Sequence, residues 1–218
     1  MTFRVKLMII PLLLSVANCA HVIGPSASAQ TPDGPSGGAE PTGQKDGFTS
    51  YVWHDGDREH RIWMDSNLIA EVAPRGTQHP SLGQATVRAD VRTGAQSVRY
   101  WQLDSNATAD QTLKKLATDH VPGRFSPVWH DSPSADGPIR ILPGNIIVIL
   151  DQDWNEEAVT RWLERHQLRM VSRLPFGPNM LLIESDAGLP ALQLANQLYS
   201  SGEVKAAFPD WLSQKTLK

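Results

Sequence analysis

The sequence predicts an α+β protein in which a small antiparallel β-rich unit precedes a unit that alternates strands and helices. Two observations carry this prediction. Residues 48–103 contain several short apolar runs separated by turn residues, which is typical of antiparallel sheets. Residues 145–212 switch between strand and helix periodicity in the order strand, helix, strand, strand, helix, strand. The 218 residues suffice for one or two domains.

The N-terminus has the pattern of a cleavable export signal. Two basic residues precede a short apolar run, Leu7–Leu14, which is too short to cross a bilayer. Ala27-Ser28-Ala29 is a small-residue cleavage site, so we expect a cut after Ala29 and a periplasmic or secreted protein. The single cysteine, Cys19, lies inside this signal. Lipidation at Cys19 is disfavoured because Asn18, rather than a small residue, precedes it.

Composition divides the rest of the chain. Residues 30–47 are rich in Pro, Gly, Ser and Ala and cannot bury enough apolar surface to order themselves. Eight prolines and glycines punctuate residues 121–144, which predicts a connector. The expected organisation is a signal peptide (1–29), a flexible leader (30–47), a β-rich N-terminal domain (48–120), a connector (121–144) and a C-terminal domain (145–218).

Within the N-terminal domain we expect four or five strands and one short helix. The strands are predicted at Tyr51–Trp53, Arg61–Met64, Leu68–Val72, Ala85–Val91 and Ser97–Leu103. The polar turn His54–Asp57 predicts a hairpin between the first two strands. Apolar residues at helical spacing predict the helix over 110–120.

The C-terminal domain has the clearest periodicity. Its four strands are predicted at Ile146–Leu150, Leu168–Leu174, Met180–Glu184 and Val204–Phe208. Its first helix is expected to start at a capping box of Asp153 and Glu156, and the second to span Gly188–Ser201. Two split βαβ halves of this kind predict a ferredoxin-like βαββαβ sheet with both helices on one face. The other face is then open to cover a partner.

Catalytic or ligand-binding patterns are weak throughout the chain. No Gly-x-Ser-x-Gly elbow or other Ser, His and Asp setting of a hydrolase is present, so we expect no enzyme. No phosphate-binding loop precedes a helix, so no cofactor is expected. His54, Asp55, Asp57 and His60 match no zinc spacing and are better explained by an exposed turn than by a metal site. The net charge of -3 is too near neutral to indicate nucleic acid or membrane as partner.

A tryptophan stripe leaves two interpretations open. Trp53, Trp63 and Trp101 are either a ligand platform or the core of the small β domain. The core is favoured because aromatic side chains dominate small cores.

The order of several short motifs resembles a known family. Residues 145–212 resemble the prodomains of fervidolysin-like subtilases through Leu174-Pro175, Leu194-Ala195-Asn196 and Ala207-Phe208-Pro209-Asp210, with Asp in place of the usual final Asn. Over a wider span the chain resembles the ASP external chaperone family. The motifs that carry this resemblance are Tyr51-Val52-Trp53-His54-Asp55-Gly56, Ile62-Trp63-Met64-Asp65, Phe125-Ser126-Pro127-Val128-Trp129-His130-Asp131 and Leu142-Pro143-Gly144.

The resemblance implies an exported chaperone that acts in trans on a separately encoded subtilisin-like serine protease. Such a protein binds the protease as a temporary inhibitor, in an expected 1:1 heterodimer, through the open face of its C-terminal sheet and its C-terminal tail. The partner-binding residues expected here are Phe208, Pro209, Asp210, Trp211, Leu212, Ser213, Gln214, Lys215, Thr216, Leu217 and Lys218. The N-terminal β domain either extends this interface or holds its register.

Two alternatives remain at this stage. The protein could be a standing periplasmic inhibitor of a mature subtilase, with no role in folding. It could also be a non-catalytic binding or scaffold module that shares the prodomain fold, because a fold alone does not determine a function.

Overall fold

The computed structural model describes residues 39–214, apart from positions 79, 84 and 94. The expected signal peptide, the first half of the leader (30–38) and Lys215–Lys218 lie outside these residues. The prediction of a flexible leader is wrong for its second half, because Gly43–Lys45 forms a strand that pairs with the strand beginning at Phe48. The described part is a mixed α/β structure with mostly antiparallel sheets. None of its helices is both long enough and apolar enough to cross a membrane.

The described residues form twelve strands and three helices. The strands are β1 (Gly43–Lys45), β2 (Phe48–Asp55), β3 (Arg58–Pro74), β4 (Ala85–Thr93), β5 (Gln96–Leu103), β6 (Arg124–His130), β7 (Ile139–Ile141), β8 (Ile146–Ile149), β9 (Met170–Arg173), β10 (Met180–Ile183), β11 (Ala206–Pro209) and β12 (Leu212–Gln214). The helices are α1 (Ala109–Thr118), α2 (Glu156–Arg165) and α3 (Leu189–Ser200).

Strand β3 organises an eight-stranded antiparallel sheet. Its first half pairs with β2, its second half with β5, and its other edge pairs with β6 at Trp63–Met64 and Ile69–Val72. The prediction of a separate strand at Leu68–Val72 is therefore wrong. The pairing with β6 is interrupted between Met64 and Ile69, so one strand bends there instead of ending.

The segment 121–144 is not simply the Pro/Gly-rich connector that its composition suggested. It contains β6 and β7, and β6 pairs directly with β3 in the large sheet. Pro127 lies within β6, where a proline removes one ladder hydrogen bond, and its neighbour Ser126 is fully buried. The hydroxyl of Ser126 accepts a hydrogen bond from the backbone N–H of Leu142 (3.0 Å), which ties β6 to the chain leading into β8.

The second sheet has four antiparallel strands in the order β11-β8-β10-β9. Helices α2 and α3 connect its strands as the periodicity predicted. The capping prediction was wrong by two residues, because Asn155 caps α2 by accepting a hydrogen bond from Ala158 N–H (2.9 Å). Asp153 instead donates its backbone N–H to the Asp151 carboxylate in the preceding turn.

One hydrophobic cluster joins the two sheets. It combines Tyr51 and Trp129 of the large sheet with residues of β8, α2 and α3. Asn196 of α3 donates its side-chain amide to the Val52 carbonyl of β2 (2.8 Å), and Tyr199 stacks on His54 at 4.3 Å. The two predicted domains thus share a core instead of being spaced by a linker, and the described residues belong to one compact unit.

Tyr100 gives the large sheet a measurable response to alkaline pH. Burial raises the pKa of Tyr100 from 10.0 to about 12. The unfolded chain therefore releases this proton first, so stability present below pH 10 is lost as the pH rises through 12. We expect wild type to lose about 2 kcal/mol more of its free energy of unfolding than Tyr100→Phe between pH 10 and 12. Urea unfolding of both proteins measures this, and parallel pH profiles would contradict it.

Candidate partner-binding surface

One face of the four-stranded sheet carries apolar side chains that no element of the described chain covers completely. The register places Met180 opposite Ile149, and Leu182 opposite Ile147. Phe208 of the edge strand β11 also stands opposite Ile147. All five side chains are only partly buried. We call these five residues the apolar face.

The opposite side of the same sheet is closed. Ile146, Val148, Leu181 and Ile183 are fully buried there. The buried residues of α2 and α3 belong to the same cluster, and α3 also contacts β2 of the large sheet. The large sheet therefore covers the helical side of the small sheet, and the apolar face is on the side away from the helices.

The hairpin between β9 and β10 extends the apolar surface. Phe176 at its turn is 81% exposed, and Val171 of β9 is 49% exposed. A shallow groove of about 570 Å³ runs between this turn and the end of β8, with Phe176, Met180 and Ile149 among its lining residues. Large exposed apolar side chains next to a partly open apolar face are typical of protein interaction sites.

Ion pairs lie at the two ends of the apolar face. Lys205 contacts Asp151 (3.1 Å) just beyond the end of β8, and Arg169 contacts Glu184 just beyond the end of β10. The pKa of Asp151 is lowered, first by the hydrogen bond from Asp153 N–H and then by Lys205. The hydrogen bond from Arg169 likewise lowers the pKa of Glu184. An apolar centre with a charged rim is the usual arrangement of a protein interface.

The partner-binding residues expected from the sequence occupy different positions. Phe208 lies on the apolar face, whereas Pro209 is buried in β11. Asp210 and Trp211 follow, and Leu212–Gln214 forms β12, which pairs with β7 at the edge of the large sheet. Sequence reasoning expected a tail leaving the small sheet and did not anticipate this strand. Lys215, Thr216, Leu217 and Lys218 lie outside the described residues.

The sequence did not single out four of the five residues of the apolar face. The sequence predicts a strand at Ile146–Leu150 without indicating which of its residues face the open side, and the structure fully buries only the alternate residues Ile146, Val148 and Leu150. The uninterrupted apolar run Ile146–Leu150 could have indicated this face. When a sheet is covered on one side only, such a run leaves apolar side chains on the uncovered side.

The other candidate groups do not assemble into a chemical site. The turn at Gly56–Asp57 closes the β2–β3 hairpin as predicted, with Asp55 opposite Arg58. His60 stacks on Trp53 (4.5 Å), and His166 contacts Glu203 (2.9 Å) at the end of α2. Over the described ranges, no three His, Cys, Asp or Glu residues are grouped to hold a metal ion.

The three tryptophans do not form one stripe. Trp101 is buried in a cluster beside α1, whereas Trp53 packs against the cluster that joins the sheets. Trp63 stands opposite His130 and is only partly buried. These different surroundings favour the packing interpretation over a common ligand platform.

A cavity of about 830 Å³ lies between α1 and the start of α3. It is lined by apolar side chains such as Leu113 and Phe125 and by charges of both signs, including Asp110 and Arg124. Asp110 forms an ion pair with Lys114 of its own helix (2.8 Å). No charge pattern in this cavity selects a ligand class.

No family model, curated protein or solved structure matches the chain.

Asp210, between β11 and β12, makes the stability of the protein depend on pH. Burial raises the pKa of Asp210 above 3.8, so the folded protein disfavours its charged form. The stability that this carboxyl contributes at low pH is therefore lost as the pH rises through its folded pKa. We expect Asp210→Asn to be more stable than wild type near pH 7, with a difference that shrinks towards pH 4.

Urea unfolding between pH 4 and 7 measures this difference, and Asp136→Asn, at an exposed loop position, is the control. A stability gain of equal size at every pH, or in both variants, would contradict the explanation.

Proposed function

We propose that this protein is an exported chaperone that acts in trans on a separately encoded subtilisin-like serine protease and stays bound as a temporary inhibitor. The observation that carries the proposal is the apolar face of the four-stranded sheet. The strand order, in which the fourth, first, third and second strands of the unit are neighbours, is the order of a ferredoxin-like βαββαβ domain and supports that interpretation of the fold.

A physical reason for such a partner lies in the folding of subtilases. Their parallel sheet pairs strands that are distant in sequence, and such topologies fold slowly. A surface that binds the native protease, and not its unfolded chain, stabilises the native state by mass action. At a concentration of 1,000 times Kd this stabilisation reaches about 4 kcal/mol.

The arrangement of the two sheets favours docking of the protease on the apolar face. Helix α3 is in contact with β8 and β11 on one side and with β2 on the other. A partner therefore meets the small sheet on the side of Ile147, Leu182 and Phe208. The C-terminal tail would then lie along the substrate cleft as an added strand, where backbone hydrogen bonds supply the affinity.

The proposal predicts that a charge on the apolar face impairs assisted refolding. We expect Leu182→Lys to lower the affinity for the protease at least about 10-fold, because an interfacial side chain at a hot spot contributes more than about 1 kcal/mol. Phe176→Ser should weaken binding with little risk to the fold, because this side chain is 81% exposed. Val87→Lys on β4, which replaces an apolar side chain 52% exposed and outside the small sheet, is the matched control.

The measurement is the recovered peptidase activity of a denatured subtilase that is encoded by the same cell without its own prodomain. Urea unfolding of each variant confirms that it is folded. Wild type and Val87→Lys should raise the yield, and the two face variants should not. Equal yields with and without wild type would contradict a chaperone, and inhibition of the mature enzyme without any gain in refolding would identify a standing inhibitor.

A further inference from the structure

Two chain segments, one containing β7 and β8 and the other β11 and β12, run side by side through both sheets. We call this pair of segments the ribbon. In the small sheet β11 pairs with β8, with Pro209 opposite Ile146. In the large sheet β12 pairs with β7, with Leu212 opposite Ile141. Since β7 precedes β8 and β11 precedes β12, the same two chain segments stay side by side on both sides of the crossing. Leu212–Gln214 therefore belongs to the large sheet, not to the small one.

The ribbon is kinked where it crosses. Four residues, 142–145, stand opposite only Asp210 and Trp211. The longer side bends through Gly144 and Asn145, whose φ angles are +94° and +101°. A Cβ at Gly144 would lie 2.6 Å from the Ser185 carbonyl oxygen, so the bend is pressed against the loop before α3 and tolerates no larger residue without movement.

Trp211 fixes the shorter side of the kink. Its ring meets Trp53 of β2 edge to face at 5.7 Å and Trp129 of β6 at 6.0 Å. Trp129 is fully buried and is itself in edge contact with Tyr51 (5.3 Å). The indole N–H of Trp211 is buried without a hydrogen-bond partner among the described residues. Ring packing therefore holds the Trp211 side chain, and its truncation removes these ring contacts without breaking a side-chain hydrogen bond to the described residues.

The large sheet also holds the strand that follows. Leu212 packs on the cluster that contains Ile141. Arg140 donates to the Ser213 hydroxyl (3.4 Å) while its guanidinium is held by two hydrogen bonds to Asp131 (2.8 and 3.1 Å). The large sheet thus holds the three residues Leu212–Gln214 by strand pairing, apolar packing and one side-chain hydrogen bond.

We propose that Trp211 is a positioning residue through which the eight-stranded sheet holds Leu212–Gln214 in place, and that tail-dependent inhibition is controlled there separately from docking of the apolar face. This inference rests on the proposed function. The large sheet then has a role in inhibition, because it holds β12 in a fixed orientation. Ordering a binding segment in advance strengthens binding because less conformational freedom is lost in the complex.

The test compares full-length wild type, Trp211→Ala, Trp211→Phe and a protein lacking Ser213–Lys218. Two constants are measured for each with the subtilase used in the refolding experiment. The first is Ki for hydrolysis of a peptide substrate. The second is Kd for the same enzyme after its active-site serine has been sulfonylated with phenylmethylsulfonyl fluoride, which obstructs the substrate cleft and leaves the surface that binds the apolar face.

We expect Trp211→Ala to raise Ki roughly 10- to 100-fold, towards the value of the shortened protein, with Kd for the sulfonylated enzyme within about 2-fold of wild type. Trp211→Phe, which keeps a ring between Trp53 and Trp129, should restore most of the inhibition. Hydrogen exchange of the free proteins should show lost protection at Leu212–Gln214 in the alanine variant and retained protection at Ile146–Ile149.

Three results would overturn the inference: an unchanged Ki for Trp211→Ala, an equal rise of Ki and Kd, or unchanged hydrogen exchange at Leu212–Gln214. A wild-type protein that neither inhibits the enzyme nor binds its sulfonylated form would overturn the proposed function itself. The hydrogen-exchange result does not involve the protease, so it distinguishes failure of the role assigned to Trp211 from failure of the proposed function.

Discussion

Packing of α3 between two sheets is the constraint on which the rest of the structure depends. Ala191, Leu192 and Ala195 are fully buried, in the same cluster as Tyr51 and Trp129 of the large sheet. Both helices lie on one side of the small sheet, and no described element forms a second layer on its other side. The open apolar face and the crossing of the tail both follow from this shared layer, in which burial of apolar area supplies the main driving force.

Local patterns predicted the elements whose signals are contained in a few neighbouring residues. The β2–β3 hairpin follows from the turn around Gly56, and α1, α2 and α3 follow from apolar residues at helical spacing. The helix cap was misplaced because Asp153 and Asn155 are both good caps, and the geometry of the turn after Asp151 decides between them.

Pairing between distant residues could not be predicted in the same way. Strand β6 contains Pro127 and borders turn-rich sequence, yet it pairs with β3, which lies more than fifty residues earlier in the chain. Strand β12 has only three residues, so its existence depends on β7 and on the packing of Trp211. The apolar face was obscured for a related reason. Burial of Ile147 and Ile149 depends on which side the large sheet occupies, and no local pattern records that choice.

The contacts between the two sheets and the ion pairs around the apolar face differ in their sensitivity to ionic strength. The contacts between the sheets include aromatic ring packing and one hydrogen bond, which the Asn196 side-chain amide donates to the Val52 carbonyl. The rim consists of exposed ion pairs, which dissolved salt screens over about 10 Å at 0.1 M. Added salt would therefore weaken the electrostatic steering of a visiting protein, and the exposed ion pair of Arg140 with Asp131 beside Ser213, more than the ring packing of Trp211.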